Sequence, residues 1–404
     1  MRSSARPGFW HQPWARLALL LTVVGWGGNQ FTPLMLLYQE SLDLSLVAVN
    51  TVLSVYVLGL VPALLVSGPA SDRFGPRPVT TLSAVAALIG SALMTLGPSD
   101  PAFLLVGRFV TGLSVGMGMT AATGWIIEIS RPPYELAVAP GAGARRAASA
   151  LTVGFGLGPT VTAACAQWAP APQVLPYLLH LVVVIVALTG LPSVPEPLPR
   201  TRLGPRTHRK PRRSCIPPGH VPRFRWVVLP AAPWIFGANA ISFAVVPVTV
   251  AAAVGPHAVG YAALLIALTF SAGVAIQPLA RRLDHPVHAH ATVAALVILA
   301  CGISVAIAAS VMTSPTLGIL ASVLLGASYG LNLVSGLREV QRIAPLHRRS
   351  LLTGTFYAVS YSGFLLPAVM AALTRWLNYS VMLFVLLVLA VACLLPVTVS
   401  ARRR

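Results

Sequence analysis

Acidic residues are scarce in this chain: nine Asp and Glu stand against 28 Lys and Arg in 404 residues. Charged residues of either sign make up 9%, where a soluble domain carries about 25%. Water is therefore not the main solvent of this chain. None of the nine acids lies near the middle of an apolar run, so an intramembrane carboxylate is missing. Cysteine is sparse too. Cys165, Cys215, Cys301 and Cys393 are scattered, with no CxxC pair and no metal-ligand spacing, which excludes a disulfide framework and a zinc site. The N-terminus has no short apolar core followed by a small-residue cleavage site, and its first apolar run reads as a retained span.

What is present is apolar sequence: 56% of residues are hydrophobic. It falls into twelve runs, over 16–38, 47–67, 79–97, 102–127, 147–167, 175–192, 227–250, 259–279, 291–311, 316–336, 351–373 and 380–400. Each approaches the roughly 20 residues that a helix needs to cross a bilayer. Assigning the gaps alternately to two faces places 26 of the 28 basic residues on one face. Basic residues near span ends stay on the cytoplasmic side during insertion, so both termini are expected in the cytoplasm. The net charge of +19 then reflects topology and attraction to anionic lipid, not nucleic-acid binding. The exceptions are Arg108 and Arg375. Arg375 sits in a short outer gap, whereas Arg108 lies two turns inside the fourth run.

Between Ser193 and Arg225 the character changes. The stretch holds nine basic residues and one acid, Glu196, among many prolines and glycines. It cannot bury a core and reads as a cytoplasmic linker. The expected organisation is a six-helix half over 1–192, the linker over 193–225, and a second six-helix half over 226–404. The halves also resemble each other. Gly68-Pro-Ala-Ser-Asp-Arg-Phe after the second run parallels Gln277-Pro-Leu-Ala-Arg-Arg-Leu after the eighth, with Pro69 and Pro278 209 positions apart. Gly112-Leu-Ser-Val-Gly116 parallels Gly326-Ala-Ser-Tyr-Gly330 at an offset of 214. A duplicated unit of this kind places a ligand site near the midplane between its halves.

The segment Gly68-Pro-Ala-Ser-Asp72-Arg73-Phe-Gly75-Pro-Arg77 resembles the loop motif Gly-x-x-x-Asp-Arg-x-Gly-Arg-Arg of the major facilitator superfamily, and the resemblance extends over essentially the whole chain. Pro76 replaces the first of the paired arginines. The resemblance implies an all-α fold of twelve transmembrane helices in two pseudo-symmetric halves, and a transporter instead of an enzyme. It also implies that Asp72 latches the start of the eleventh span in one conformation. Glu128, at the cytoplasmic end of the fourth span, is placed to join Arg73 or Arg77; an ordinary solvated turn is the alternative. Gly154-Phe-Gly-Leu-Gly158-Pro159 resembles an exporter motif, although Thr162-Ala163 replaces its closing glycine pair. Generic helix packing would use Gly154 and Gly158 equally well.

An arginine inside a span costs about 2.5–3.5 kcal/mol even on a lenient insertion scale, so Arg108 is expected to face protein or water. Snorkelling to the outer interface is the alternative. Pocket candidates are Trp26, Asn29 and Gln30 in the first span, Asn239 in the seventh, Tyr329 and Asn332 in the tenth, and Tyr357 and Tyr361 in the eleventh. Any one of them could simply bond across helices. A proton relay would have to use Glu40, the Asp72 and Glu128 group, or His180. His285, His288 and His290 read as loop histidines without a metal.

The resulting expectation is a monomeric secondary transporter of the plasma membrane, without cofactor. It moves a small hydrophobic or amphipathic compound, most simply by proton-coupled efflux. A sugar or metabolite carrier of the same fold is the alternative. A membrane enzyme or sensor is remote, because neither a His/Asp/Glu cluster at a membrane face nor a soluble output domain is evident.

Overall fold

In the computed structural model, residues 12–136, 138–197, 218–283, 285, 288–345 and 349–402 are described. Most of the expected linker, 198–217, lies outside them. Twelve helical segments follow one another: α1 Pro13–Asn29, α2 Leu46–Phe74, α3 Pro76–Thr95, α4 Pro101–Ile129, α5 Ala142–Trp168, α6 Leu175–Gly190, α7 Val221–Val254, α8 Ala258–Ala275, α9 His290–Val311, α10 Pro315–Ile343, α11 Leu351–Leu373 and α12 Tyr379–Arg402. Ten, with α6 counted through Ser193, are long and apolar enough to cross a membrane, while α1 and the apolar part of α8, Gly260–Ala275, are shorter. After a brief turn, α1 continues into a seven-residue helix, Met35–Ser41.

Sharp starts come from caps. Asp100 accepts from Ala102 N at 2.8 Å, Ser45 from Ala48 N at 3.2 Å, and Ser314 from Leu317 N at 3.4 Å. Proline follows at the first position of α4 and α10, where its missing N–H costs nothing. All three capped starts lie at the end opposite the arginine-rich, or basic, face. At the basic face the helices run past their apolar runs. α2 continues to Phe74, α10 to Ile343, and α7 begins at Val221. The segment read as a loop from Gly68 onward is thus the last two turns of α2, broken only at Gly75 (φ +93°) before α3 begins.

The two halves repeat one packing plan. In the first, α4 packs on α2 and α3, and α1 on α5; in the second, α10 packs on α8 and α9, and α7 on α11. The repeated glycines explain the correspondence. A Cβ on Gly112 would lie 2.1 Å from Tyr56 O, and one on Gly326 would lie 2.1 Å from Thr269 O. The α2–α4 and α8–α10 crossings therefore both depend on glycine to let backbones touch. Between halves, α2 meets α11 and α5 meets α8. Toward the basic face these contacts are tight: Ser149 Oγ donates to Gln277 Oε1 at 2.6 Å across α5–α8. Gly354 of α11 faces Leu64 O of α2 so closely that a Cβ would lie 2.2 Å from it.

Candidate functional site

The twelve-helix frame brings the sequence candidates to three places. The first is a buried cation. Arg108, on α4, is 2% exposed, so it does not snorkel. Its Nη1 donates to Gly28 O of α1 at 3.0 Å. The guanidinium sits 4.4 Å from the Tyr56 ring centroid and 5.2 Å from that of Phe31. No carboxylate pairs with it among the described residues, and its buried Nε has no hydrogen-bond partner. Burying a charge without a counter-ion costs several kcal/mol, and two ring faces return up to about 2 kcal/mol each when desolvated.

The second place is an aromatic cluster spanning the interface between halves. Tyr56 OH lies 3.5 Å from Tyr361 OH, joining α2 to α11. Tyr361 stacks on Phe236 of α7 at 4.0 Å. Phe236 in turn meets Phe155 of α5 at 5.9 Å and Tyr329 of α10 at 6.1 Å. Tyr329 OH lies 3.2 Å from Thr152 Oγ1 of α5, across the halves. Trp26, Asn29, Gln30, Asn239, Tyr329, Asn332, Tyr357 and Tyr361 are all buried. Their roles diverge. Asn332 Nδ2 donates to Ala231 O at 2.9 Å, a helix-joining bond. Trp26 Nε1, Gln30 Oε1 and Asn239 Oδ1 have no hydrogen-bond partner. Such orphaned buried groups are costly, and they are the groups a polar ligand would satisfy. Tyr357 rests against Phe356 at 5.4 Å.

Gly154 and Gly158 bring α5 against α1: a Cβ on either would fall 2.1 Å from Thr22 O or 2.4 Å from Trp26 O. Pro159 lies inside the continuing α5 helix. His180 is buried and structurally committed. Its Nε2 must donate to Val23 O, 2.9 Å away, since a carbonyl only accepts. Nδ1 then accepts from Ser91 Oγ at 2.7 Å, and Ser91 Oγ accepts from Gln30 Nε2 at 3.3 Å.

The third place is the turn at the basic face. Gly68, Asp72 and Arg73 lie on the last two turns of α2, and Arg77 on the first turn of α3. Asp72 and Glu128 both take part in polar interactions. The acid closing on Arg77 is Glu196, which sequence reading left in the linker. Arg77 Nε donates to Glu196 Oε2 at 3.0 Å and Arg77 N to Oε1 at 3.1 Å. Arg77 Nη2 also reaches Val194 O at 2.7 Å, and Trp125 Nε1 donates to Pro195 O at 2.9 Å. The chain leaving α6 thus straps back over the motif. A second ionic group, also unforeseen, joins α7 to α10: Arg223 Nε and Nη2 donate to Glu339 at 2.6 and 2.8 Å. His288 stacks on His285 and on His290, which are tilted to one another, with centroids 4.7 to 5.9 Å apart, and no metal-binding group is found among the described residues. The side chains of Glu40 and Arg281 lie outside the described set.

Sequence reading missed Tyr56, Phe155 and Phe236. The signals were thin: Phe155 lies inside the exporter-like motif, and Phe236 precedes Asn239 by three residues, on the same helix face.

This architecture is a helical bundle of two similarly packed halves, and comparison with known proteins identifies its family. The family model described as Major Facilitator Superfamily matches residues 17–368. The chain belongs to that superfamily: it is a multi-pass membrane transporter and not an enzyme. A solved structure of the proton:xylose symporter XylE bound to 6-bromo-6-deoxy-D-glucose superposes with a TM-score of 0.73 over 97% of this chain and 95% of that one, at 14% identity. Among curated proteins, Probable polyol transporter 3 of Arabidopsis thaliana is 41% identical over 71 residues, covering 18% of this chain and 14% of that one. Multidrug resistance protein MdtL of Klebsiella pneumoniae is 32% identical over 97 residues, covering 20% and 24%. The matched segments span about a quarter or less of these curated relatives.

Proposed function

We propose that this chain exports a small hydrophobic or amphipathic compound across the plasma membrane by alternating access, coupled to protons. In this reading it acts as a monomer with both termini in the cytoplasm. The six-helix halves 1–192 and 226–404 rock about the interior site, and residues 193–225 link them. The observation carrying the reading is the aromatic cluster that Tyr361, Phe236, Phe155 and Tyr329 form between the halves. Such a wall accommodates apolar bodies through area and ring contacts, with few directional demands. The exporter-like Gly154, Gly158 and Pro159 and the resemblance of one segment to a multidrug resistance protein point the same way. Asp72, with Gly68, Arg73, Gly75, Arg77 and Glu128 around it, serves as the conformational latch.

A second reading, a sugar or metabolite carrier, is favoured by the partnerless Trp26 Nε1 and Asn239 Oδ1 and by the polyol-transporter segment. Hydroxyl-rich ligands need such groups. Reconstitution in proteoliposomes with an imposed proton gradient and a compound panel separates the two. Gradient-dependent movement of amphipathic compounds supports export; gradient-independent uniport of a sugar refutes it.

A further inference from the structure

Arg108 is a fully buried cation to which the proposed function assigns no task. We propose that Arg108 is the recognition site for an anionic group, and that the transported compound is an aromatic or amphipathic monocarboxylate. This rests on the reading of the chain as a transporter of amphipathic compounds and names the charge those compounds carry.

A guanidinium buried to 2% exposure, with no carboxylate paired to it among the described residues, needs a counter-charge from elsewhere. The described carboxylates lie elsewhere. Glu196, Glu135 and Glu339 pair with Arg77, Arg146 and with Arg223 and Arg342. Asp100 caps α4. Asp72 and Glu128 lie toward the basic ends of α2 and α4 and Asp43 just before the start of α2, and in the sequence Glu40 and Asp284 fall outside the twelve apolar runs. Among the described residues Arg108 donates a hydrogen bond to the Gly28 carbonyl through Nη1, while Nε, on the other edge, has no hydrogen-bond partner. That edge is the side of the planar fork that takes a carboxylate through two parallel bonds.

The surroundings define the rest of the ligand. The guanidinium carbon lies over the rings of Phe31 and Tyr56, so an anion bound to it would meet aromatic surface at once. From Tyr56 the wall continues without interruption to Tyr361 and Phe236. A carboxylate on Arg108 therefore places an attached aromatic body against the rings between the halves. Loss of that contact when the halves rock would release the anion. An inside-negative membrane potential favours outward movement of the anion, which supplies a driving force that needs no carboxylate in the protein.

The test uses the purified full-length chain and three matched probes: 2-naphthoate, 2-naphthamide and 2-naphthylmethylamine. Equilibrium binding is measured first, then counterflow in proteoliposomes. Naphthoate is expected to bind at least tenfold more tightly than the amide, with the amine weakest. Arg108→Gln reduces the carboxylate preference to within about twofold, and Arg108→Lys retains part of it. Should Arg108→Gln fail to fold, the wild-type ranking and Arg108→Lys carry the test. A wild-type chain that binds naphthoate no better than naphthamide, including one that binds neither, overturns the assignment. So does a preference that survives Arg108→Gln. Counterflow of the amide without carboxylate preference leaves the transporter reading standing and removes this site. Carboxylate binding through Arg108 with no counterflow of any probe does the reverse.

Discussion

Gly354→Ala should push the two halves apart at the basic face. An alanine Cβ there would lie 2.2 Å from Leu64 O and 3.2 Å from Thr120 Cγ2. Ordinary contact begins near 3.4 Å, so α11 must withdraw from α2 by about 1 Å in the state where they touch, because packed interiors have little slack to absorb it. Backbone oxygen cannot swing aside as a side-chain tip can. Overpacking of this kind costs about 1–3 kcal/mol. In a rocking transporter the cost falls only on the conformation in which α2 and α11 meet. Their equilibrium should therefore shift by about 5- to 150-fold toward the form open at the basic face. The assay labels Ser149→Cys, at the α5–α8 contact, with a membrane-impermeant maleimide from the basic side, in a chain whose four cysteines are replaced by serine. Gly354→Ala should raise the labelling rate by about tenfold or more and slow transport. The control is Gly112→Ala, whose Cβ would lie 2.1 Å from Tyr56 O within one half. It should lower thermal stability without changing sidedness. Equal labelling in both variants would refute the view that the α2–α11 contact belongs to one state.

Other expectations follow from the same geometry. Asp72→Asn should slow turnover while leaving ligand affinity nearly intact; a collapse of affinity with unchanged rate would remove Asp72 from the latch. Gly75→Ala should be unstable in thermal-shift measurements, since φ is +93° and the new Cβ would lie 2.6 Å from Glu196 Oε1, with left-handed strain of about 1–3 kcal/mol. His180→Ala should cost about 1–3 kcal/mol by removing the imidazole's bonds to buried Ser91 and Val23 O, and a stable His180→Ala with altered proton coupling would instead make the imidazole a relay.

Much of this fold was legible because lipid simplifies the code. A segment that must satisfy its own backbone in hydrocarbon becomes a helix, and its length and flanking arginines show in composition alone. The repeat was legible for a related reason. Where α2 crosses α4 and α8 crosses α10, only glycine fits, so Gly112 and Gly326 mark the crossings in the sequence. Helix ends were less visible, since turns projecting beyond the bilayer carry charge and look like loops; α2 runs on through Asp72 for this reason. The site was half legible. Arg108 stands out because charge in a span is costly. Phe155 and Phe236 do not, since an aromatic residue suits lipid, protein and a ligand wall equally well. Glu196 was hidden because its contact with Arg77 depends on how the chain turns after α6, through Pro192 and Pro195, and not on any local pattern.

The two ionic groups at the basic face allow a final discrimination between a contact that is merely present and one that matters. Arg77 and Glu196 retain 33% and 27% side-chain exposure, and exposed pairs are worth about 0–1 kcal/mol. Arg223 and Glu339 retain 17% and 5%, and Arg342 adds a second donor to Glu339 at 3.1 Å. There the charges have been taken from water, so removing one partner strands the other. Breaking a buried pair costs about 3–5 kcal/mol, and the partial exposure of Arg223 places this case at the lower end. Glu339→Gln should therefore lower the melting temperature of the purified chain several times more than Glu196→Gln, although both substitutions delete one carboxylate charge. High salt should widen the gap slightly, since screening weakens the exposed pair first. Similar losses in the two variants would mean that burial does not rank these contacts. A larger loss for Glu196→Gln would make the strap after α6, and not the α7–α10 junction, the element that holds the basic face together.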